Sequence, residues 1–230
     1  MKCIGHKFKP VPWVGYLSAT AIAFLHVIPR EYLLKYLGLA ILSLIAILFM
    51  HVVFSDMKIN FADIAMTIFG IIYIVGFISF IALTYGLEEN GENIGKFYIV
   101  LLLLATWGSD ILAYFVGRYL GKYTFSKISP NKHIEGCIAG AIGGILLVVL
   151  ASAIFNNFFG LDINYGLITL IALIITILGQ IGDFAASCIK RYIGVKDFSK
   201  LLPGHGGIID RFDSVIFAAP FAYYLITILI

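Results

Sequence analysis

With 61% of its 230 residues hydrophobic and only 13% charged, this chain is too apolar for an ordinary soluble domain, where about 45–50% and about 25% are usual. The net charge of +3 is too small to argue for a nucleic-acid partner. Cys3, Cys137 and Cys188 are scattered without a CxxC, so reduced or buried thiols are expected rather than disulfides or a zinc site.

Residues 1–12 form a short basic lead with Lys2, His6, Lys7 and Lys9. No small-residue cleavage site follows and apolar segments continue to the C-terminus, so it is not read as a signal peptide. Seven apolar stretches follow, at about 13–28, 32–54, 62–85, 96–117, 137–155, 164–186 and 214–230. Most approach or exceed the roughly 20 residues that cross a bilayer as a helix. The expected fold is all-α: a polytopic transmembrane helical bundle of about seven membrane helices, forming one integral-membrane domain over 1–230. The first stretch is short and ends at Pro29, and the last contains Pro220, which membrane helices tolerate.

Asp63 sits near the start of the third stretch, where a carboxylate serves as a cap or dipole partner. His26 and His51, near helix ends in apolar surroundings, are read as packing residues. Trp13, Tyr32, Tyr36, Tyr85 and Tyr98 lie near helix boundaries and read as interface anchors. Glycines between 136 and 144, and again at 179 and 182, suggest closely packed helices, which is sufficient for Gly140, Gly143 and Gly144.

Placing the N-terminus in the cytoplasm puts 1–12, 55–61, 118–136 and 187–213 inside. Those segments hold 13 of the 16 lysines and arginines, leaving Arg30, Lys35 and Lys96. The opposite loops are acidic or neutral, such as 87–92 and 156–164. Alternate loops thus obey the positive-inside rule.

Two acids stand in apolar helices, where charge is costly and usually functional. Asp110 shares a helix face with Tyr114 and Gly117. Asp183 shares one with Ser187 and Lys190, so this face leads out of the membrane into the longest polar run, Ser187–Ser214. That run combines Lys190, Arg191, Lys196, Lys200 and Arg211 with Asp197, Asp210 and Asp213, and places Pro203, Gly204, Gly206 and Gly207 between them. Cations beside carboxylates and glycines suggest a site for a metal and phosphates. Glycine lets backbone N–H groups approach phosphate oxygens, and a few carboxylates with substrate phosphates commonly hold Mg²⁺.

Ser187-x-x-Lys190-Arg191-x₄-Lys196-Asp197, followed by Leu202-Pro203-Gly204-His205-Gly206-Gly207-Ile208-x-Asp210-Arg211-Phe212-Asp213-Ser214, resembles the signature of the phosphatidate cytidylyltransferase (CDP-diacylglycerol synthase) family. Trp107–Gly121 also resembles a motif of that family. Ile128–Gly136 is similar to its ISPKKT-x-EG, with Asn131 and His133 departing and Ser129, Pro130, Lys132, Glu135 and Gly136 keeping the pattern. Ser129-Pro130 also reads as an N-cap followed by Pro at the first helical position. The resemblance spans roughly 60–230. Family members usually carry further apolar segments at the N-terminus, so a short member or a truncated start is expected.

The resemblance implies the reaction of phosphatidate with CTP to give CDP-diacylglycerol and pyrophosphate, in phospholipid biosynthesis. It implies catalytic roles for Asp183, Lys190, Arg191, Asp210 and Arg211. Substrate contacts would come from Asp110, Lys132, Ser187, Lys196, Asp197, His205, Gly206 and Gly207. His205 is open between a phosphate or base contact and a turn residue. The expected cofactor is Mg²⁺ on Asp183, Asp210 and Asp213, with a second cation left open. CTP, phosphatidate and the lipid bilayer are the expected partners, nucleic acid is not one, and the family resemblance suggests a homodimer. The expected location is a bacterial cell (inner) membrane with the site facing the cytoplasm. Competing readings are a CTP-dependent enzyme acting on an isoprenoid lipid and, in another class, a small-solute transporter using Asp110 and Asp183 as ion ligands.

Overall fold

The structure, a computed structural model, describes residues 8–24, 30–55, 58–89, 92–126, 129–160, 163–199, 201 and 206–229. It is almost entirely helical, with a helix at each of the seven expected places. The chain divides into two compact units, Met1–Ser79 and Phe80–Ile230.

The first unit contains α1 (Pro12–Phe24), α2 (Arg30–Phe54), α3 (Phe61–Gly70) and its π-helical continuation (Ile71–Gly76), while α4 (Phe77–Tyr85) continues the same helix across the boundary between the units. Asn60 and Asp63 start α3 with a capping box. The Asn60 side chain accepts from Asp63 N at 3.0 Å, and Asp63 Oδ2 accepts from Asn60 N at 2.9 Å. Asp63 also takes Lys9 N on Oδ1 at 2.6 Å, and Thr67 Oγ1 takes Val11 N at 2.9 Å. The expected cap is therefore also an anchor for the segment before α1. That anchoring seats Val11 and Val14 in a core with Leu48, Val52, Ile64 and Ile71. His51 packs edge-on to Trp13, as a packing residue should.

The second unit contains a short β1–β2 hairpin (Glu88–Glu89, Glu92–Asn93), α5 (Gly95–Leu120), the β3–β4 hairpin (Thr124–Ser126, Ser129–His133), α6 (Ile134–Phe159), α7 (Tyr165–Tyr192) and α8 (Ile209–Leu229). Antiparallel α5 and α6 pack through a glycine stripe. A Cβ on Gly136, Gly140 or Gly144 would stand 2.5, 2.7 or 2.8 Å from the carbonyl oxygens of Ala113, Ser109 and Ala105 respectively. Each step of four along α6 thus meets a step of four back along α5, so bare backbones touch. Gly182 makes the same allowance on α7, where a side chain would run into Phe217 of α8. Leu102, Val148, Ile175, Val215, Ala218 and Ala222 lie among the core side chains of this unit.

Among the described residues, five helical stretches are long and apolar enough to cross a membrane: Phe61–Tyr85, Gly95–Leu120, Ile134–Phe159, Tyr165–Tyr192 and Ile209–Leu229. The 13 residues of α1 and the apolar part of α2, Gly38–Phe54, fall short of that length. The chain is a polytopic helical membrane protein.

Three local expectations need correction. Tyr98, read as an interface anchor, is buried in the core of the second unit with Phe97 and Leu101. Ser129-Pro130 does not cap a helix. Residues 129–133 pair with Thr124–Ser126 as a strand, Ile134 N donates to Tyr123 O at 2.9 Å, and α6 begins only at Ile134. The cross-strand ladder takes the backbone groups that a helix start would have used. The polar run 187–213 is likewise not all loop. α7 continues to Tyr192 and α8 already begins at Ile209. Lys190 and Arg191 occupy the last turn of α7 and Asp210 the first turn of α8, where each charge suits its end of the helix dipole.

Candidate active site

Four chain segments bring the polar groups together: the C-terminal half of α5, strand β4, the end of α7 and the start of α8. On α7, Asp183 and Lys190 are seven residues apart and share a face, as the helical period requires. Lys190 reaches across to α8, with Nζ 3.0 Å from Asp210 Oδ1 and 3.6 Å from Asp213 Oδ2. Asp183 pairs with Lys132, delivered from β4.

The mount of Lys132 is built from its neighbours. His133 lies over Gly117 and Gly121 at the end of α5, in space that a side chain on Gly121 would need. Glu135 accepts from Tyr123 N at 3.3 Å. Phe125 of β3 stacks on Phe184 of α7, with ring centres 4.5 Å apart and planes at 27°. Lys132 Nζ stands 4.0 Å from the centre of that Phe184 ring, so its charge meets both a carboxylate and an aromatic face.

Asp210 organises the loop between α7 and α8. Its carboxylate accepts from Phe198 N at 2.9 Å and from Gly207 N at 3.0 Å, besides Lys190. Gly206 holds φ of +79°, a conformation that costs glycine little. A Cβ on Gly207 would stand 2.5 Å from Ser199 Oγ and 3.0 Å from Asp210 Oδ2. These two glycines let the loop close on Asp210.

Asp213 and Asp110 are joined through Ser214. Ser214 N donates to Asp213 Oδ1 at 2.9 Å, while Ser214 Oγ donates to Asp110 Oδ2 at 2.8 Å. Asp183 lies within electrostatic range of both Asp110 and Asp213. Four carboxylates therefore share two contacting ammonium groups, Lys132 and Lys190. The cluster retains excess negative charge at the end of a membrane bundle.

Oxygen ligands with excess negative charge are the chemistry that hard divalent cations select. Among the described residues, no three His, Cys, Asp or Glu side chains form a ready-made cage. Mg²⁺ is usually held by one or two carboxylates plus substrate phosphates and keeps several waters. The residues present suit such an ion, with Asp183 and Asp213 the acids least committed to backbone amides of the loop.

The remaining expected site residues are placed less centrally. Ser187 is half-buried, one turn beyond Asp183, while Arg191, Lys196, Asp197 and Arg211 are exposed. The backbone carbonyl of Arg211 accepts from Trp107 Nε1 at 3.1 Å, tying α8 to α5. His205 and Lys200 lie outside the described residues. Cys137 and Cys188 are free thiols, and Cys3 is outside the described residues.

Sequence reasoning missed Gln180, whose Nε2 donates to Ser109 Oγ at 3.0 Å and to Cys137 O at 2.9 Å. It joins α5, α6 and α7 one turn before Asp183. An amide in an otherwise apolar helix was the available signal. Phe184 was also missed, and Ser214 was read only as the end of the signature, because nothing in their spacing announces a partner on another element.

A family model described as the cytidylyltransferase family matches residues 1–229. The chain is 35% identical over 221 residues to a phosphatidate cytidylyltransferase of Staphylococcus epidermidis, covering 93% of this chain and 78% of that protein. It is 38% identical over 219 residues to the phosphatidate cytidylyltransferase of Staphylococcus saprophyticus, with the same coverages. The Bacillus subtilis protein of that name is 40% identical over 162 residues, which is 67% of this chain and 59% of the relative.

Proposed function

This chain belongs to the cytidylyltransferase family, and from that premise we infer that it makes CDP-diacylglycerol and pyrophosphate from phosphatidate and CTP within a membrane. The observation that supports this reading best is the gathering of Asp110, Asp183 and Asp213 from three helices beside Lys132 and Lys190.

In the reaction, an oxygen of the phosphatidate phosphate bonds to the α-phosphorus of CTP, and the bond from that phosphorus to the β-phosphate bridging oxygen breaks. The electron pair leaves with pyrophosphate. Both reactants are anions, so the protein's task is alignment and charge neutralisation rather than proton removal. Asp183 and Asp213 would hold Mg²⁺, which supplies Lewis-acid neutralisation of the phosphate oxygens when bound. Asp110 adds charge from α5, and Ser214 fixes its direction. Lys132 and Lys190 supply point charges to phosphates. Arg191, Lys196 and Arg211 suit the outgoing pyrophosphate, with arginine offering two parallel hydrogen bonds. Asp210 serves by holding the Gly206–Gly207 turn closed through the Gly207 amide.

The charge asymmetry of the loops supports a cytoplasmic N-terminus, an odd number of spans and a site open to CTP at the inner face of a bacterial cell membrane. A homodimer is the assembly that the family resemblance suggests. Incubation of the purified protein with labelled CTP, phosphatidate and Mg²⁺ tests the reading. Labelled CDP-diacylglycerol is expected, and its absence under those conditions would overturn the assignment.

A further inference from the structure

The two lysines of the site are held differently. Lys190 is enclosed, with its side chain 12% exposed between Asp210 and Asp213. Lys132 and its partner Asp183 are each 25% exposed, and among the described residues the only carboxylate paired with Lys132 is that of Asp183. The same ammonium also rests 4.0 Å from the centre of the Phe184 ring. The strand that carries Lys132 is fixed by the β3–β4 ladder, by Glu135 and by the Phe125–Phe184 stack. Its flexible four-carbon stem can therefore turn while its backbone stays in place.

Asp183 also feels the charges of Asp110 and Asp213. Unpaired carboxylates grouped in this way are costly, so an internal cation beside Asp183 lowers the cost while no metal is bound. A divalent ion carries twice the charge of an ammonium and coordinates oxygen more closely than a hydrogen bond does. It would take the Asp183 oxygens from Lys132.

We propose that Lys132 is an internal stand-in for the metal: it occupies Asp183 in the ligand-free protein, and it passes to a substrate phosphate when a divalent cation takes its place. This rests on the reading that Asp183 helps to hold such a cation. Lys132 then has two successive roles, offsetting the charge of Asp183 and delivering positive charge when phosphate arrives. Lys190 does not exchange, because its partners include Asp210, which the loop amides hold in place.

The test uses the whole protein, stripped of divalent ions and without nucleotide. It is treated with a water-soluble amine-acylating ester, with and without Mg²⁺, and modification of each lysine is read by mass spectrometry. Acylation of Lys132 should rise several-fold with Mg²⁺, while Lys190 and the exposed Lys122 stay constant. In parallel, Lys132→Met should bind Mg²⁺ about tenfold more tightly by thermal shift, a change of about 1.4 kcal/mol. Lys122→Met should not. Stabilisation of the protein by Mg²⁺ without any change at Lys132 would overturn the exchange and leave the metal reading standing. If Mg²⁺ neither stabilises the protein nor alters labelling, the exchange fails, while the metal reading is decided separately by turnover across a Mg²⁺ titration.

Discussion

Gln180 of α7 donates to Ser109 Oγ of α5 at 3.0 Å, and the residue after Ser109 is Asp110. The same amide also donates to Cys137 O at the start of α6. One side chain therefore sets the spacing of the three helices one turn below the carboxylates. Gln180→Leu should lower kcat well beyond its effect on KM for CTP. Loss of the two bonds should cost on the order of 1–2 kcal/mol of stability. Gln180→Asn, with a shorter amide, should recover little. Steady-state kinetics beside thermal unfolding check this. Equal, small effects on kcat and KM would show that Gln180 only supports the fold.

Asp210 and Asp213 lie one turn apart on α8 and have different neighbours. Asp210→Asn weakens the Lys190 pair and the hold on the Phe198 and Gly207 amides, so it should lower activity and speed proteolytic cleavage of the α7–α8 loop. Asp213→Asn should lower activity as strongly without exposing the loop. Timed limited proteolysis of both variants separates the two roles. Equal loop protection in both would remove the organising role from Asp210.

Gly207→Ala brings a methyl against Ser199 Oγ and Asp210 Oδ2. Turnover should fall steeply. Adding Ser199→Ala should restore only part of it, since Ser199 N still lies 3.1 Å from the new Cβ and Asp210 still lies 3.0 Å away. At Gly206, Ala requires the left-handed conformation at a cost of about 1–2 kcal/mol, and Asn should be milder. Turnover numbers for the four variants give the check. Full recovery in the double variant would place the critical contact at the serine hydroxyl alone.

Asp63 accepts bonds from Asn60 N and Lys9 N, within the first unit of the chain. Asp63→Ala should cost about 1 kcal/mol of stability, the usual value of a lost cap. Turnover per folded molecule should be nearly unchanged. Unfolding temperature and activity measured on the same preparation test this pairing of outcomes.

The bundle was legible because membrane helices announce themselves by length and hydropathy, and Asp110 and Asp183 because charge is rare in such helices. The ends of α7 and α8 were less legible. Ser187, Lys190 and Asp210 end the apolar windows, yet the backbone stays helical past the point where the side chains become polar. Asp63 could be read as a cap because helix starts have local signals. The Lys132–Asp183 pair could not be read, since it joins a strand to a helix well separated in sequence. Nor could the Asp210 loop, whose partners Phe198 and Gly207 contribute only backbone amides that any residue except proline possesses. Ser129-Pro130 carried a helix-start signal that pairing with β3 overrode.

The central claim is that the acids on α5, α7 and α8 gather a divalent cation so that two phosphates can meet. CDP-diacylglycerol formation across a Mg²⁺ titration, in protein first stripped with EDTA, tests it most directly. No product should form without a divalent ion, Mg²⁺ should restore turnover, and Asp213→Asn should raise the Mg²⁺ required by about tenfold or more, or about 1.4 kcal/mol. Undiminished turnover in EDTA, or an unchanged Mg²⁺ requirement in Asp213→Asn, would contradict it.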